Sequence, residues 1–492
     1  MHIIHIASEL APLAKVGGLA DVILGLSREL SWKGHAVDII IPKYDCMDNE
    51  QVSDLTLVTK DLQSFYQDQW FSNSVWKGKV ENLNVYFIES HHPREFFNRG
   101  AFYGCEDDIE RFLYFSRAAI EFIYKHSLNP DIIHVHDWEA AIIPVLLKEV
   151  YAKIGLTKPR TVLTIHNMEY QGLCAPYNLS YIGLDGNYFL QSSQMQDKKY
   201  QDLINLLKGG IEYADFVTTV SPTYAKEVLL EEGGRGLEST LLDNQFKFKG
   251  ILNGIDYSYW NPEIDRFLPA HFSSKEPNKK ELIKKRLREK LHLEEIHRPI
   301  IGCITRLVPQ KGIEQIKYAM NQAEEKKYQF VLLGSSPIPE IAKEFEELAK
   351  KNADNPHVKL ILKHNEEVAH LIYAGCDLFI VPSIFEPCGL TQLIALRYGT
   401  VSIVRKTGGL ADTIFDIENS KKPVKERNGF VFKAANDQEL DLTLNRALDC
   451  WYQKPEKWRK LLVNGMNADF SWNKSSDDYL QIYASLSDRT LK

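Results

Sequence analysis

Cysteine is scarce: seven residues in 492, namely Cys46, Cys105, Cys174, Cys303, Cys376, Cys388 and Cys450. The number is odd and no Cys-x-x-Cys pair occurs, so neither a disulfide framework nor a cysteine-based zinc site is expected. Long apolar runs are missing as well. Ala140–Leu147 is the longest, far short of the roughly 20 residues needed to span a bilayer. Met1–Ile6 reads as a buried strand, with no basic leader or cleavage site. There is no basic excess either: 59 Lys+Arg stand against 66 Asp+Glu, a net charge of −7, which argues against a protein that coats nucleic acid. Gly-x-Gly-x-x-Gly and the Walker glycine-lysine loop are both absent, as is Asp-x-Asp. Their absence removes the dinucleotide fingerprint, the NTPase loop and the usual short signature of a metal-assisted nucleotide-sugar site. The expectation is a cytoplasmic globular protein with neither membrane nor nucleic acid as partner.

What is present is an alternation of short β-branched runs with longer helical patterns. Strands are expected at 2–6, 37–41, 84–88, 132–135, 162–165, 216–220 and 250–252. A second series follows at 300–304, 329–333, 358–362, 378–381, 401–404 and 429–432. Continuous apolar runs of this length, separated by helices, indicate parallel strands covered on both faces. Two such series indicate two doubly wound α/β domains with a seam just after Asn253-Gly254-Ile255-Asp256. The basic stretch 278–290 reads as a solvated helix face with one core stripe, Ile283, Leu287 and Leu291.

One internal echo stands out: Lys15-Val16-Gly17-Gly18-Leu19-Ala20-Asp21 recurs as Lys406-Thr407-Gly408-Gly409-Leu410-Ala411-Asp412. A glycine pair between strand and helix lets backbone N–H groups approach an anion or sugar hydroxyl, although it also serves as a simple turn. Arg306 and Lys311 follow the strand 300–304 and suit a diphosphate, or are two surface cations. Glu386, between Phe385 and Pro387 after the strand 378–381, is a poorly solvated carboxylate or a helix-start acid. Cys388 has no basic neighbour in sequence and reads as a packing residue. His134 and His136 share one strand face ahead of Asp137. Without an evident third ligand, core or turn histidines are favoured over a metal site. His166, at the end of the strand 162–165, could donate to a sugar hydroxyl or cap the turn.

The order of motifs is specific. K-V-G-G-L-A-D, H-D-W, T-I-H-N-x-x-Y-Q-G, L-N-G-I-D, R-L-x-x-Q-K-G, F-E-P-C-G-L-T-Q and T-G-G-L-A-D-T, with D-F-S-W near the end, resembles the bacterial glycogen (starch) synthase family, glycosyltransferase family 5. The matches run from Lys15 to Trp472. The resemblance implies a GT-B fold: two Rossmann-like domains facing across a deep cleft. An N-terminal acceptor-side domain would span 1–255, with a terminal helix 470–492 returning to it, and a nucleotide-sugar domain would span 256–469. It also implies retaining transfer of glucose from ADP-glucose to the 4-hydroxyl of an α-1,4-glucan, with no cofactor and no metal. Homo-oligomerisation is left open. By the same resemblance Lys15, Gly17 and Gly18 would meet the donor's diphosphate and sugar, with Asp21 on the acceptor side. Arg306 and Lys311 would stabilise departing ADP. Glu386 would hold glucose hydroxyls, with Cys388, Gly389 and Leu390 as backbone donors and Thr391 beside the diphosphate. Gly408 and Gly409 would also bind donor. His166 would contact the sugar's 6-hydroxyl, while Asp137, Trp138 and Asn253 would line the meeting place of glucan and donor. Ile384 stands where an Arg is frequent, which removes a cation. The alternatives are a GT-B transferase using UDP-glucose or another acceptor, and a catalytically silent glucan-binding protein.

Overall fold

The β-branched runs fold into two separate sheets in the computed structural model, which describes residues 1–487. The chain divides into two units: Met1–Gly254 with the helix Trp472–Ser487, and Ile255–Ser471. The last five residues of the expected terminal helix, 488–492, lie outside the described residues.

In the first unit nine strands form one sheet. The parallel part runs, in spatial order, Phe248–Gly250, Phe216–Thr219, Arg160–Ile165, Ile132–His136, His2–Ile6, Ala36–Pro42 and Leu83–Ser90. The strand expected at 250–252 thus lies two residues earlier, where Phe248 pairs with Val217. Two long strands that the sequence reading left out, Gln69–Val80 and Ser53–Tyr66, extend this sheet antiparallel beyond Leu83–Ser90. They are joined at Gln67 and Asp68, both with left-handed φ (49° and 58°), as a two-residue hairpin turn requires. The hairpin escapes an apolar-pattern search because its inner face is partly polar. Buried Asn73 donates to the Leu62 carbonyl and to Ser64 Oγ, and accepts from Tyr114 Oη. Trp472–Ser487 packs Tyr479, Ile482, Tyr483 and Leu486 into the same core as Ile3, Val22, Leu26 and Ile132. Gly25 lets that helix start close by, since a Cβ there would meet the Trp472 ring at 2.0 Å.

In the second unit six parallel strands run in the order Val358–Ile361, Gln329–Leu333, Ile300–Ile304, Leu378–Val381, Val401–Arg405, Gly429–Phe432. Ile300 and Val331 enter one apolar core, while Ile301, Phe330 and Leu332 enter the core on the other face. Burial on both faces explains the unbroken apolar runs.

The basic helix Lys280–Leu291 keeps the expected solvated face, with Lys285, Arg286 and Lys290 exposed, but three of its cations do not lie on it. Ile283 and Leu287 are core residues as expected, but Lys280, Lys284 and Arg288 are buried beside them. Lys280 Nζ donates to the Ala374 carbonyl and Thr400 Oγ1, and Arg288 donates to Gln329. Lys284 pairs with Asp377 at 2.9 Å. The stripe at i, i+4, i+8 satisfies carbonyls and carboxylates at the amino ends of the strands, so the positive charges are structural. Asp377 also accepts from the Ile300 N–H and the Trp451 indole. Asp377→Ala is expected to cost about 3–5 kcal/mol, because it strands a buried ammonium. The shift of a denaturant midpoint checks this.

In both sheets the first strand lies between the second and the fourth parallel strand, so the connections leave in opposite directions from one point. Open α/β sheets bind ligands at the carboxyl ends of strands around that switch point. Here the segments concerned are 7–18 and 137–138 in the first unit, and 305–312 and 382–390 in the second.

Candidate active site

In the second unit the turn after Ile300–Ile304 carries exposed Arg306 and partly buried Lys311. Gly312, at φ 74°, ends the turn against the neighbouring segment; a Cβ there would meet the Pro382 carbonyl oxygen at 2.4 Å. That close approach places Lys311 Nζ 2.9 and 2.7 Å from the two Glu386 oxygens. Ser383 Oγ also donates to Glu386, at 2.8 Å. The carboxylate is 6% exposed, so it is a held, desolvated anion rather than a free helix-start acid. An ammonium has three protons. Two point at Glu386 and the third is available to a ligand phosphate. Arg405 donates to the carbonyls of Ser383 and Ile384, so a cation stands behind this loop although position 384 is Ile. Ser335 and Ser336 brace the Arg306 turn from the next strand end, through Leu307 N–H to the Ser335 carbonyl and Ser336 Oγ to the Leu307 carbonyl.

Past Glu386, Gln392 donates to the carbonyls of Cys388 and Gly389, fixing the backbone into the helix Thr391–Arg397. Cys388 is buried, as expected of a packing residue. At Gly409 the expectation that the second glycine pair offers its N–H groups to a ligand does not hold. The Gly409 N–H is already spent on the carbonyls of Glu386 and Pro387. Added Cβ atoms on Gly408 and Gly409 would meet the Glu386 and Cys388 carbonyl oxygens at 2.0 and 2.1 Å. These glycines let one backbone lie directly on another, and so hold the Glu386 loop in place.

In the first unit the loop 15–17 leads into the helix Gly18–Trp32, whose first N–H groups have no intrahelical acceptor. Lys15 pairs with Asp21 at 2.8 Å, both partly exposed, so Asp21 orients the lysine of its own loop. Glu9, which carries no spacing signature, anchors this loop. One of its oxygens accepts from the N–H groups of Val16 and Gly17 at 2.8 and 3.0 Å, and the other accepts from Tyr103 Oη. Gly17 is therefore held by protein, and its N–H is not an open anion donor.

Asp137 follows the strand Ile132–His136 with a left-handed φ of 55°, a strained position for a non-glycine residue. Its carboxylate accepts from the His166 backbone N–H at 2.6 Å. Burial pushes its pKa up to about 7, against the pull of the His166 and Asn167 N–H groups. Glu139 is raised as well, by burial and then by Asp137, and one of its oxygens has no partner. His166 itself is pushed down to about 3 by burial, so it is a neutral imidazole. Asn253 is buried with its side-chain oxygen unpartnered. Trp138 lines a cavity of about 430 Å³ with Tyr170, Gly172, Tyr200, Glu169 and Arg235. Tyr170 and Tyr200 are exposed rings, flat apolar faces with a polar tip that suit a sugar. Tyr170 was visible in the H-N-x-x-Y-Q-G stretch; Tyr200, Glu9 and Glu139 have no local signal. No helix among the described residues is long and apolar enough to cross a membrane.

Comparison with known proteins adds the following. Residues 2–243 match the family model described as starch synthase catalytic domain, and residues 284–461 match glycosyl transferases group 1. The chain is 66% identical to the glycogen synthase of Protochlamydia amoebophila, over 99% of both chains. It is 48% identical to glycogen synthase 2 of Methylococcus capsulatus, over 99% of this chain and all of that one. Among solved structures it resembles the catalytic domain of starch synthase IV from Arabidopsis thaliana bound to ADP and acarbose (TM-score 0.96, 48% identity, 99% of each chain). A sucrose-phosphate synthase from Thermosynechococcus elongatus, 17% identical with TM-score 0.60, shares the fold.

Proposed function

The chain belongs to the glycogen and starch synthase family of glycosyltransferases, and on that premise we propose how its two sets of groups divide the work of transferring glucose from ADP-glucose to the 4-hydroxyl at a glucan end. Two doubly wound α/β units give it the GT-B architecture of that family. The observation that carries the reading is the Lys311–Glu386 pair, a desolvated carboxylate locked to a lysine at the switch point of the second sheet.

Cleaving a glycosyl–phosphate bond develops negative charge on the leaving oxygen and positive charge on the sugar. Lys311, through its remaining proton, and Arg306 stabilise the departing diphosphate; because Lys311 is fixed on Glu386 before reaction, it needs little reorganisation. These cations supply the charge that a metal would otherwise bring, so no metal is required in this reading. Glu386 accepts from glucose hydroxyls with its remaining lone pairs and thereby orients the ring. Lys15 and the start of the helix at Gly18 add a second contact to the anion. His166, held by Asp137, meets the sugar, and the Trp138–Tyr170–Tyr200 cavity takes the glucan. Departure and attack occur on the same face, with the departing phosphate oxygen accepting the acceptor's proton, which gives retention without a covalent enzyme intermediate. Isolation of a glucosyl adduct on Glu386 or Asp137 would contradict this step.

Glu9→Ala frees the loop that carries Lys15. It is expected to raise KM for ADP-glucose about tenfold with little change in kcat, while Glu9→Gln, which can still accept both N–H groups, stays near wild type. Steady-state kinetics check the split. The reading as a whole is tested by incubating the protein with glycogen and labelled ADP-glucose or UDP-glucose without added metal. Label should enter glycogen from ADP-glucose; preference for UDP-glucose, or no labelling from either donor, counts against it.

A further inference from the structure

Four histidines converge beneath the carboxyl ends of three adjacent strands of the first sheet, and three of them form a continuous hydrogen-bonded line. His166 Nε2 lies 3.1 Å from His136 Nδ1. His136 Nε2 lies 3.1 Å from His5 Nδ1. His5 and His136 are completely buried and His166 is partly so. The fourth, His134, belongs to a different line, with its nitrogens on Tyr483 Oη and Thr164 Oγ1. Nitrogen atoms of His5, His134 and His136 lie within 4.8 Å of one another, but a cation drawing on them would have to break these bonds. The arrangement is built for hydrogen bonds.

Burial depresses the pKa of all three imidazoles in the line, so each ring is neutral and carries one N–H. That leaves two states for the whole line, because each ring that accepts on one nitrogen must donate from the other. If His166 donates from Nε2, the proton order runs inward and His5 is left with an N–H on Nε2. If His5 donates from Nδ1, the order runs outward, His5 Nε2 is bare, and His166 carries its proton on Nδ1. His5 Nε2 decides between them, for it is buried and has no partner. A buried N–H without an acceptor is rarer and costlier than a buried lone pair without a donor. The outward order is therefore the lower in free energy.

We propose that His5 and His136 are positioning residues that fix His166 as the tautomer protonated on Nδ1, presenting an N–H donor to a hydroxyl oxygen of the donor sugar. The second half of this statement rests on the reading that His166 meets that sugar. The first half concerns the resting protein alone.

The test uses full-length protein labelled with 15N-histidine, read by long-range proton–nitrogen correlation, with the His166 signals identified by their loss in His166→Gln. Wild type should show His166 with a protonated Nδ1 and a bare Nε2. In His5→Asp, whose carboxylate can only accept from His136 Nε2, the order should reverse and His166 should shift toward the tautomer protonated on Nε2, with kcat/KM for ADP-glucose falling about tenfold. His5→Phe, which leaves His136 Nε2 as the buried nitrogen without a partner, should keep the wild-type pattern. A wild-type His166 protonated on Nε2 overturns the relay, and so does a folded His5→Asp protein with unchanged His166 shifts. Expected shifts in a protein that transfers no glucose would instead overturn the functional reading and leave the tautomer assignment standing.

Discussion

Lys311→Ala is expected to lower kcat about a thousandfold, with a much smaller change in the affinity for ADP-glucose. A fixed donor aimed at a developing oxyanion is worth about 3–4 kcal/mol in the transition state and far less in the ground state, where the charge has not moved. The geometry adds a second contribution. Lys311 gives two of its hydrogen bonds to Glu386, so its loss leaves a carboxylate that is 6% exposed without a counterion. Glu386→Gln should therefore be the milder partner change: it keeps an acceptor for Ser383 and sugar hydroxyls while releasing the lysine. The double variant should lose less than the sum of the two singles, because each single leaves the other group unpaired. Pre-steady-state turnover separates this from a loss of binding. If Lys311→Ala raises KM alone, its role is uniform binding and the assignment to the leaving group fails.

The second large effect is expected at Asp137. Its folded-state pKa is raised to about 7 by burial, from a typical unfolded value of about 3.9. The folded state therefore holds the proton more tightly. This group favours folding fully below about pH 4, and that contribution is lost as pH rises through about 7. Activity runs the other way, since the ionised carboxylate is the form that best holds the His166 backbone N–H and with it the position of the ring. Turnover should climb through about pH 7 to a plateau, while conformational stability from this group declines over the same range. Asp137→Asn should remove that acid limb and lower the plateau about a hundredfold. The strained φ of 55° would be relieved in Asp137→Gly, which should be more stable than wild type yet similarly impaired. A pH profile of kcat that is identical in wild type and Asp137→Asn would remove Asp137 from the account.

Much of this was legible in the amino-acid sequence, for reasons that differ by element. Strands such as 300–304, 329–333 and 378–381 are buried on both faces, so they appear as unbroken apolar runs, and their ends could be read to the residue. Arg306, Lys311 and Glu386 were findable because each directly follows such a strand. The hairpin Ser53–Tyr66/Gln69–Val80 was not, because its inward face uses Asn73 and Ser64, polar residues satisfied only by partners distant in sequence. Lys280, Lys284 and Arg288 misled for the converse reason: a charge run is normally solvated, and here the oxygens of Thr400, Asp377 and Gln329 that meet it lie 41 to 120 residues away. Glu9, Glu139 and His5 show the same limit within the candidate site. A single acid in a loop, or one histidine in a strand, has no spacing to reveal it, and only the parallel pairing of His2–Ile6 with Ile132–His136 brings His5 beside His136. The repeated glycine pair was informative about position but less so about role. At Gly409 the freedom from a Cβ serves backbone-on-backbone packing, and at Gly17 the N–H is taken by Glu9.

The measurement that tests the central claim most directly follows the reaction by proton NMR, with ADP-glucose and a short α-1,4-glucan as the only substrates. The account predicts that ADP and new α-1,4 linkages appear in equal amounts from the first turnover, with no β-glycosidic linkage signal at any time. Formation of a β linkage, or release of ADP with free glucose and no chain growth, would contradict it.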